Sequence, residues 1–521
     1  MDTKALRQKI LDLAIRGKLV PQDSNDEPAS VLLERIRQQK QQMVKEGKLK
    51  PKDIKNDSVI FVGEDNLHYE KFSDGSVKCI EDEIPFELPD GWAWARLSSI
   101  ADMALGKMLD VAKNKGSLRP YLRNINVRWG TFDLSDTLEM RFEDNELERY
   151  SICYGDLVMC EGGEPGRCAV WKSEEVVLYQ KALHRVRAIE ILPEYLYYVI
   201  RRFIISNQYE KYYTGTTIKH LTGQSLRMLP IPLPPLNEQK LIVEHLQRII
   251  EEIDKIEMRK TEAFSLVSLA KSKILDLAIR GKLVPQDSND EPASVLLERI
   301  RAEKEELIRQ GKIKRDKKES VIFRGEDNSY YVRQDTHTES IDEQFIFELP
   351  DNWEWCSLLN IAKIELGKTL DSAKNIGTNY PYLRSVNVRW NEVDLSDLKE
   401  MRFEPEELDR YTVRRNDLLI CEGGDVGRSC VWTDEKEILY QNALHRVRFY
   451  GGCNPFYFMY YMMYYESRGI IKALCKGVTI KHLTGNVLSL IPFALPPIEE
   501  QGRIVERLNR IFVLLDSIIC D

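Results

Sequence analysis

The chain of 521 residues lacks several features that would assign it to a common class of protein. It has no apolar run of about 18 residues, so we predict no transmembrane helix. Its charged N-terminus lacks the apolar stretch of a secretory signal, which predicts a cytoplasmic protein. The 10 cysteines include no Cys-x-x-Cys pair, so neither a zinc site nor a disulfide framework is indicated.

The chain also lacks a positive net charge and catalytic motifs. Its formal net charge is −8, whereas a protein that binds nucleic acid by itself is usually basic. Basic charge must therefore be local, or a partner must supply it. We find no P-loop, no nuclease-like group of acids with a lysine, and no Asn-Pro-Pro-Tyr motif; residues 454–457 come nearest but lack the second proline. We therefore predict a protein that is not an enzyme.

What the sequence does contain is an internal duplication that extends over nearly its whole length. Residues 9–37 and 273–301 are identical at all 29 positions, at an offset of 264. The domain that follows recurs with substitutions at an offset of 261, as PYLRNINVRW and PYLRSVNVRW, CEGGEPGR and CEGGDVGR, and ALHRVR twice. A period of half the chain is too long for a solenoid repeat. We predict two pseudo-equivalent halves.

A heptad pattern predicts long paired helices. Apolar residues alternate by three and four over 242–277, which predicts a coiled-coil helix over 238–280 that stops at Gly281. Residues 504–518 repeat the first part of this pattern, and residues 6–13 repeat the last part. An apolar seam must be buried. We therefore expect the terminal helices to pack end to end against the central helix, closing the chain into a pseudo-twofold ring.

The segments between the helices predict α+β domains. Short buried strands follow turns in SICYGDLVMCEGG and TVRRNDLLICEGG, HRVR alternates as a strand does, and residues 193–212 are helical in pattern. In the second copy Asn454 is the predicted cap of that helix. The fold class is α+β, with two pseudo-twofold-related α+β domains separated by long antiparallel coiled-coil helices. The predicted boundaries are 1–47 for an N-terminal helical region, 48–90 for a connector, 91–236 for the first domain, 237–311 for the central helix and a second helix, 312–350 for a connector, 351–498 for the second domain and 499–521 for the C-terminal helix.

Basic and amide side chains recur at the same place in both domains and are candidates for DNA contact. Residues 105–130 carry six basic residues against one acid, and residues 366–391 carry four against one. Arg and Lys neutralise phosphates and can read guanine, and Asn can read adenine. A solvated charged face is the alternative for either cluster alone, and the recurrence favours DNA. The candidates are Lys107, Lys113, Arg119, Arg123, Asn126 and Arg128, with Lys368, Lys374, Arg384, Asn387 and Arg389 in the second domain.

Two further segments add candidates. The basic and hydroxyl side chains of TIKHLTG suit phosphate contacts, although a loop that caps the next strand is an equal alternative. EGGEPGR lacks the Lys-Ser or Lys-Thr of a P-loop, so we interpret its glycines as turn formers and its arginine as a possible DNA contact. These candidates are Thr217, Lys219, His220 and Arg167, with Thr479, Lys481, His482 and Arg428 in the second copy.

Two other groups are interpreted as structural or peripheral. Residues 131–150 carry a net charge of −5, so we expect them to be solvated or to face a protein partner. His184 and His445 lie in the HRVR strands with no evident nucleophile beside them. We interpret both histidines as structural or DNA-facing.

Together, these elements resemble the specificity subunit of type I restriction-modification enzymes. The carriers are EGGEPGR and EGGDVGR, the HRVR strands, TIKHLTG with the proline-rich LPIPLPPLNEQ, and a long helix after each EQ. The resemblance implies that each domain is a target-recognition domain that reads one part of a split DNA target. It implies double-stranded DNA, two methyltransferase subunits and restriction/translocase subunits as partners. It also implies S-adenosylmethionine, Mg²⁺ and ATP on those partners, and no cofactor on this chain.

The likeness of the halves predicts similar half-sites in inverted order, and hence a nearly palindromic bipartite target. Two alternatives stay open: a specificity subunit of a fused restriction-methylation enzyme, and a coiled-coil scaffold that binds no nucleic acid. Differences between the half-sites are expected to map to unmatched positions, namely Asn124 against Ser385, Arg119 against Tyr380, and Gly130 against Asn391.

Overall fold

The fold was obtained as a computed structural model, which describes residues 2–55, 57–110, 112–216, 219–315, 320–334, 337–341, 347–371, 375–475 and 482–520. The chain divides into two compact units, Met1–Arg259 and Lys260–Asp521. Within the described residues, we find no helix with both the length and the apolar character needed to cross a membrane.

Unit 1 begins with helices, continues into a mixed domain and ends in a long helix. Its elements are α1 Thr3–Ile15, α2 Ala29–Lys45, α3 Pro51–Ile54, β1 Ser58–Val62, β2 His68–Phe72, β3 Val77–Cys79, β4 Ala93–Arg96, α4 Leu97–Ile100, β5 Ala101–Leu105, β6 Ser117–Leu122, β7 Leu138–Phe142, β8 Ser151–Ile152, β9 Leu157–Cys160, β10 Cys168–Val170, β11 Val177–Tyr179, β12 Leu183–Ala188, α5 Pro193–Ile205, α6 Gly223–Arg227, β13 Pro230–Leu233 and the first part of α7 Leu236–Ile279.

Unit 2 repeats this order, starting from the second part of α7. Its elements are α8 Ala293–Arg309, β14 Ser320–Arg324, β15 Tyr330–Gln334, β16 His337–Ser340, β17 Glu354–Ser357, α9 Leu358–Ile361, β18 Ala362–Leu366, β19 Thr378–Leu383, β20 Val388–Arg389, β21 Glu392–Val393, β22 Lys399–Phe403, α10 Pro405–Leu408, β23 Thr412–Val413, β24 Leu418–Cys421, β25 Ser429–Val431, β26 Ile438–Tyr440, β27 Leu444–Phe449, α11 Pro455–Ser467, α12 Ile470–Leu474, α13 Gly485–Leu490, β28 Pro492–Leu495 and α14 Ile498–Cys520.

Each domain is built on the same two four-stranded sheets. In unit 1 the strand orders are β10-β9-β12-β5 and β7-β6-β11-β8, and β13 pairs with β4. In unit 2 they are β18-β27-β24-β25 and β22-β19-β26-β23, and β28 pairs with β17. Most pairings are antiparallel, but β6 with β11 and β19 with β26 are parallel. The connectors hold the three-stranded sheets β1-β2-β3 and β14-β15-β16.

The core of each unit forms around the helix that follows the HRVR strand. In unit 1, α5 packs against α1 and β10, and in unit 2, α11 packs against β25, α12 and α14. The sequence of α11, PFYFMYYMMYYES, is apolar on all sides, and nine of its residues are buried. A helix of this kind has to be enclosed by other elements. The α5 helix is amphipathic, and the guanidinium of Arg202 on its polar side donates a hydrogen bond to the Asp12 carboxylate of α1 at 2.6 Å.

The long helices pair antiparallel within each unit. In unit 1, Arg7 near the start of α1 contacts Asp254 and Glu257 of α7 (3.0 Å to Glu257), while Asp26 after α1 accepts a hydrogen bond from Asn237 at the start of α7. In unit 2 the same register places Lys271 of α7 at 2.6 Å from Asp516 of α14 and Arg503 against Asp290. These pairings confirm the antiparallel arrangement.

The apolar seam of these helices differs from the prediction at three positions. Ile242, Leu246, Ile504 and Leu508 are buried as the heptads predict. Three other predicted seam residues are exposed: Ile256 by 38 %, Leu277 by 41 % and Ile518 by 61 %. In the last turns of α7 the buried residues are Leu275, Ala278 and Ile279, which face the domain core. The final turn of α7 thus presents its apolar side to the domain. The end-to-end packing of the terminal helices and the ring stay predictions.

Other local predictions are confirmed or corrected by backbone conformation. The helix predicted over 238–280 is α7, Leu236–Ile279, and Gly281 after it has φ +65°. Asn454 caps α11 by accepting from the Phe456 N–H at 3.0 Å, as predicted. The helix predicted over 193–212 ends early, at Ile205, because Asn207 takes a left-handed conformation (φ +59°) that stops the helix.

A buried glutamate and glutamine at the first turn of each long helix join it to its domain. The Glu238 carboxylate accepts a hydrogen bond from Trp92 Nε1 at 2.8 Å, and Gln239 bonds the Leu192 N–H at 3.2 Å and the Pro234 carbonyl at 3.0 Å. Unit 2 has the same joint: Trp353 Nε1 donates to Glu500 at 2.9 Å, while the Asn454 N–H and the Pro496 carbonyl bond Gln501. Burial raises the pKa of Glu238 and of Glu500.

We predict that Glu238→Gln stabilises the protein at neutral pH. Because burial raises the pKa of the native carboxyl, its ionisation costs stability as pH rises above the ordinary value of 4.5. An amide still accepts from Trp92 and has no charge to bury. The gain in thermal unfolding midpoint over wild type should therefore grow as pH rises above about 4.5, until the native carboxyl is fully ionised.

Two matched variants test this interpretation. Glu238→Ala should lose about 1–3 kcal/mol because Trp92 Nε1 is left without its acceptor. Glu244→Gln alters an exposed glutamate of the same helix and should change the midpoint little at any pH. A gain for Glu238→Gln that does not vary with pH would contradict the electrostatic cause.

Candidate nucleic-acid interface

A short turn after β6 is held by a buried asparagine. Residues Asn124–Asn126 form a 3-10 turn in which the Asn126 side chain accepts from the Arg123 N–H at 2.8 Å. The same side chain donates to the carbonyls of Asp133 at 2.9 Å and Asp136 at 2.8 Å. Asn387 repeats these three bonds in unit 2, at 2.9, 2.9 and 3.1 Å. The backbone of the turn is therefore fixed in both units.

The glycine-rich loop after β9 holds the same turn from its other side. Arg167 donates to the Asn124 carbonyl at 2.9 Å and to Glu164 at 2.6 Å. Glu164 also accepts a hydrogen bond from Trp129 Nε1 at 2.8 Å, which connects the glycine-rich loop to the segment that follows the turn. In unit 2, Arg428 donates to the Ser385 carbonyl at 3.0 Å. The arginine of each loop thus clamps the first residue of the turn.

The His-Leu-Thr segment lies on the other side of the glycine-rich loop. The Leu221 N–H donates to the Glu161 carbonyl at 2.8 Å, and His184 Nε2 donates to the Leu221 carbonyl at 2.9 Å. The His220 imidazole covers Gly162, where an added Cβ would come within 2.7 Å of His220 Nδ1. Burial lowers the pKa of His184, which favours the neutral ring as a donor to a carbonyl. His184 is therefore structural, which is one of the two roles predicted for it.

Unit 2 has the same junction. Leu483 bonds the Glu422 carbonyl at 2.9 Å, His445 bonds the Leu483 carbonyl at 2.9 Å, and His482 lies over Gly423. We call the combined face of each unit the three-loop surface. It comprises residues 124–126, 161–167 and 219–222 in unit 1, and residues 385–387, 422–428 and 482–484 in unit 2.

Four predicted DNA contacts are instead structural. Lys107 is buried, and its ammonium group forms an ion pair with Glu146 and lies over the ring of Phe142. Lys368 is also buried and makes the same contacts with Glu407 and Phe403. Asn126 and Asn387 are buried and hold the turns described above. Because their polar atoms are used inside the fold, the prediction of DNA contact is corrected for these four residues: Lys107, Lys368, Asn126 and Asn387.

The acidic stretch after the basic stretch is largely exposed, as one of its two expected settings required, and it also pairs with the basic stretch. Arg123 bonds the side chain and carbonyl of Asp136, both at 2.9 Å, and Arg384 bonds Asp397 at 2.7 Å. The hydrogen bond from Lys107 is the main reason that the pKa of Glu146 is lowered. Arg119 and Arg128 make looser pairs, at 3.8 Å with Asp144 and 3.4 Å with Asp133. Local charge is therefore much less positive than the count for residues 105–130 indicates.

The remaining described candidates divide into clamped and exposed groups. Arg123, Arg384, Arg167 and Arg428 keep less than about a fifth of each side chain exposed and bond main-chain carbonyls. The exposed group consists of Lys113, Arg119, Arg128, Lys219, His220, Arg389 and His482. An exposed ion pair such as Lys219 with Glu210 (2.7 Å) contributes only about 0–1 kcal/mol, so a phosphate can replace the carboxylate.

Not all candidates lie on the three-loop surface. Lys219 and His220 belong to it, with His482 in the second unit, whereas Lys113 is on the loop after β5 and Arg119 is on β6. Four predicted residues lie outside the described residues: Thr217, Lys374, Thr479 and Lys481. For the exposed residues, DNA contact stays a prediction.

An exposed aliphatic residue at the middle of each turn is a functional candidate that the charge and amide patterns of the sequence do not identify. Ile125 is 41 % exposed and Val386 is 50 % exposed, although the polar groups around them are bonded internally. The available signal was that an aliphatic residue stands at this position in both halves, between polar neighbours. Among the described residues, we find no group of three or more His, Cys, Asp or Glu that could hold a metal ion.

Comparison with known proteins gives a match in both halves. The model of the type I restriction modification DNA specificity domain matches residues 89–263 and again residues 350–518. The specificity subunit of the type I restriction enzyme EcoAI from Escherichia coli is 27 % identical, over 98 % of this chain and 88 % of that protein. The EcoEI specificity subunit from Escherichia coli is 26 % identical, over 99 % and 90 %.

A solved structure shares the fold. It comes from work on the complex assembly and conformational transition of the type I R-M system, and one of its chains aligns with a TM-score of 0.53. That alignment covers 84 % of this chain and 93 % of the other, at 18 % sequence identity. At that identity the likeness concerns the fold alone.

We predict that Asn126→Ala destabilises the first unit by about 2–4 kcal/mol, because it leaves buried main-chain groups without partners. Chemical denaturation would measure the loss, and Asn387→Ala should reproduce it in the second unit. Asn124→Ala, on the free side of the same turn, is the control and should change stability by less than about 0.5 kcal/mol. An Asn126→Ala protein of normal stability would show that the side chain does not hold the turn.

Proposed function

This chain belongs to the family of type I restriction-modification DNA specificity proteins, and from this premise we propose that it recognises DNA through both of its domains. In the proposal each three-loop surface reads one part of a bipartite target. Because the two surfaces are built from matched segments, their half-sites are similar and inverted, so the target is nearly palindromic. The chain performs no catalysis of its own and supplies sequence specificity to a type I complex in the cytoplasm.

The observation that carries this proposal is the recurrence of one surface in both units. Each unit joins the same turn, the same glycine-rich loop and the same His-Leu segment through equivalent hydrogen bonds. Some contacts differ between the two domains, such as the Arg96–Glu70 pair of unit 1, whereas this junction is the same in both. Loops fixed by a rigid scaffold are where binding residues concentrate. A protein scaffold without a nucleic-acid ligand would give no reason for exposed basic side chains beside this junction.

The identical segments 9–37 and 273–301 support docking of two copies of one partner. Within them Ser24, Val31 and Glu34 are exposed, as are their counterparts Ser288, Val295 and Glu298. Packing does not require identity at exposed positions, since surface substitutions usually change stability little. We propose that these segments dock two methyltransferase subunits, and that restriction/translocase subunits complete the complex. S-adenosylmethionine, Mg²⁺ and ATP are then bound by those partners.

We expect cells that express the chain with its methyltransferase subunit to carry adenine methylation at a single bipartite motif with two similar, inverted half-sites. Single-molecule sequencing of genomic DNA would measure this motif. A strain without this chain is the control and should lack the methylation. Two unrelated half-sites would overturn the near-palindrome, and a continuous motif would overturn the division of recognition between two domains.

We also predict that exposed lysines bind phosphates. Lys113→Gln and Lys219→Gln should each lower the slope of log affinity against log salt concentration by about 0.9, and should weaken binding to all sequences alike. Affinity of the complex for target DNA at several salt concentrations measures this slope. Lys78→Gln, an exposed lysine of β3, is the control and should leave the slope unchanged. An unchanged slope for both test variants would exclude them as phosphate contacts.

A further inference from the structure

The middle of the turn after β6 presents an aliphatic side chain to solvent from a rigid backbone. In unit 1 the turn is held by the three bonds of Asn126 and by Arg167, and in unit 2 by those of Asn387 and Arg428. Ile125 and Val386 are each about half exposed, so each gains only part of the stabilisation that full burial would give. A stability role therefore accounts for only part of the occurrence of a β-branched aliphatic residue at this position in both units.

The residue before it differs between the units and has a free side chain in unit 1. The Asn124 amide lies against Gly163, where an added Cβ would come within 3.2 Å of its Nδ2. Among the described residues, none hydrogen-bonds this amide, whereas the Asn124 carbonyl accepts from Arg167 and from Cys160. In unit 2 the shorter Ser385 leaves more room, and none of the described atoms lies within 4 Å of a Cβ built on Gly424.

These features match the chemistry of base recognition. An asparagine amide can bond adenine through two atoms at once, a serine hydroxyl makes a single bond to several bases, and an aliphatic group contacts the thymine methyl. Reading a base requires a side chain whose backbone is fixed and whose polar atoms are free. We infer that the pairs Asn124-Ile125 and Ser385-Val386 are the base-reading tip of each domain, and that residue 124 or 385 sets the base that distinguishes the two half-sites.

Two of the unmatched positions named above have structural explanations. Tyr380 packs against Phe403 at 6.4 Å between ring centroids, whereas its counterpart Arg119 pairs with Asp144. Gly130 and Asn391 both have positive φ, a conformation that glycine and asparagine tolerate. A side chain at Gly130 would also come within 2.8 Å of the Tyr197 hydroxyl. The third position, residue 124 or 385, lies on the three-loop surface, and in unit 1 its side chain has no hydrogen bond among the described residues.

The inference rests on the proposed DNA recognition, and exchanging the two residues tests it. The full chain carrying N124S, S385N or both is expressed with its methyltransferase subunit, and methylated adenines are mapped by single-molecule sequencing. N124S should change one base position in the first half-site toward the preference of the second half-site, with at least about a tenfold loss of the original preference. S385N should make the reverse change, and the double variant should exchange the two preferences.

Three further variants keep the test decisive. Both I125A and V386A should weaken discrimination for thymine at the neighbouring position, measured as methylation rates on oligonucleotides that differ in that base. K172T, which exchanges an exposed lysine beyond the opposite end of β9 for its counterpart Thr433, should leave the motif unchanged. A bipartite wild-type motif that N124S and S385N leave unaltered overturns the inference alone, whereas a wild-type complex with no bipartite motif overturns the proposed function.

Discussion

The buried carboxylate of Glu238 and the neighbouring amide of Gln239 hold three parts of unit 1 together at the first turn of α7. They bond the indole of Trp92, the start of α5 and the proline-rich strand end. A buried carboxylate is costly without partners, and the raised pKa of Glu238 reflects that cost. The equivalent Glu500 and Gln501 do the same in unit 2. This joint therefore fixes Trp92, the start of α5 and the end of the proline-rich strand with respect to the long helix.

The sequence predicted those features that depend on local or repeated patterns. Heptads located α7, and asparagine with proline located the start of α11, because helix ends and apolar stripes are encoded within a few residues. The roles of Lys107 and Arg123 could not be predicted from charge counts, since their acidic partners lie on later segments that only the folded sheet brings near. A usable signal was present: Lys107 and Glu146 recur as Lys368 and Glu407 with the same separation of 39 residues. Ion pairs that stay matched through a duplication indicate contact.

The two units use different polar side chains at equivalent buried positions of the same fold. In unit 1 the fully buried Arg96 bonds Glu70 at 2.6 Å, which ties the connector sheet to β4. In unit 2 the corresponding Ser357 bonds Asn360, whose amide in turn reaches the Ser320 carbonyl. Both arrangements give the buried polar groups hydrogen-bond partners, and the arrangement in unit 2 does so without a buried charge. The junction of the three-loop surface and the joint at the first turn of each long helix do not vary in this way.

The carboxylate shared by the two identical segments faces a different donor in each unit. Asp12 accepts from the guanidinium of Arg202, and Asp276, its counterpart, accepts from the phenol of Tyr464 at 3.3 Å. One unchanged stretch of helix thus serves as an adaptor for two divergent neighbours. The neighbour of this carboxylate has to supply a hydrogen-bond donor that reaches it, and the donor is charged in unit 1 and neutral in unit 2. The same helix sequence is therefore compatible with two different domain surfaces.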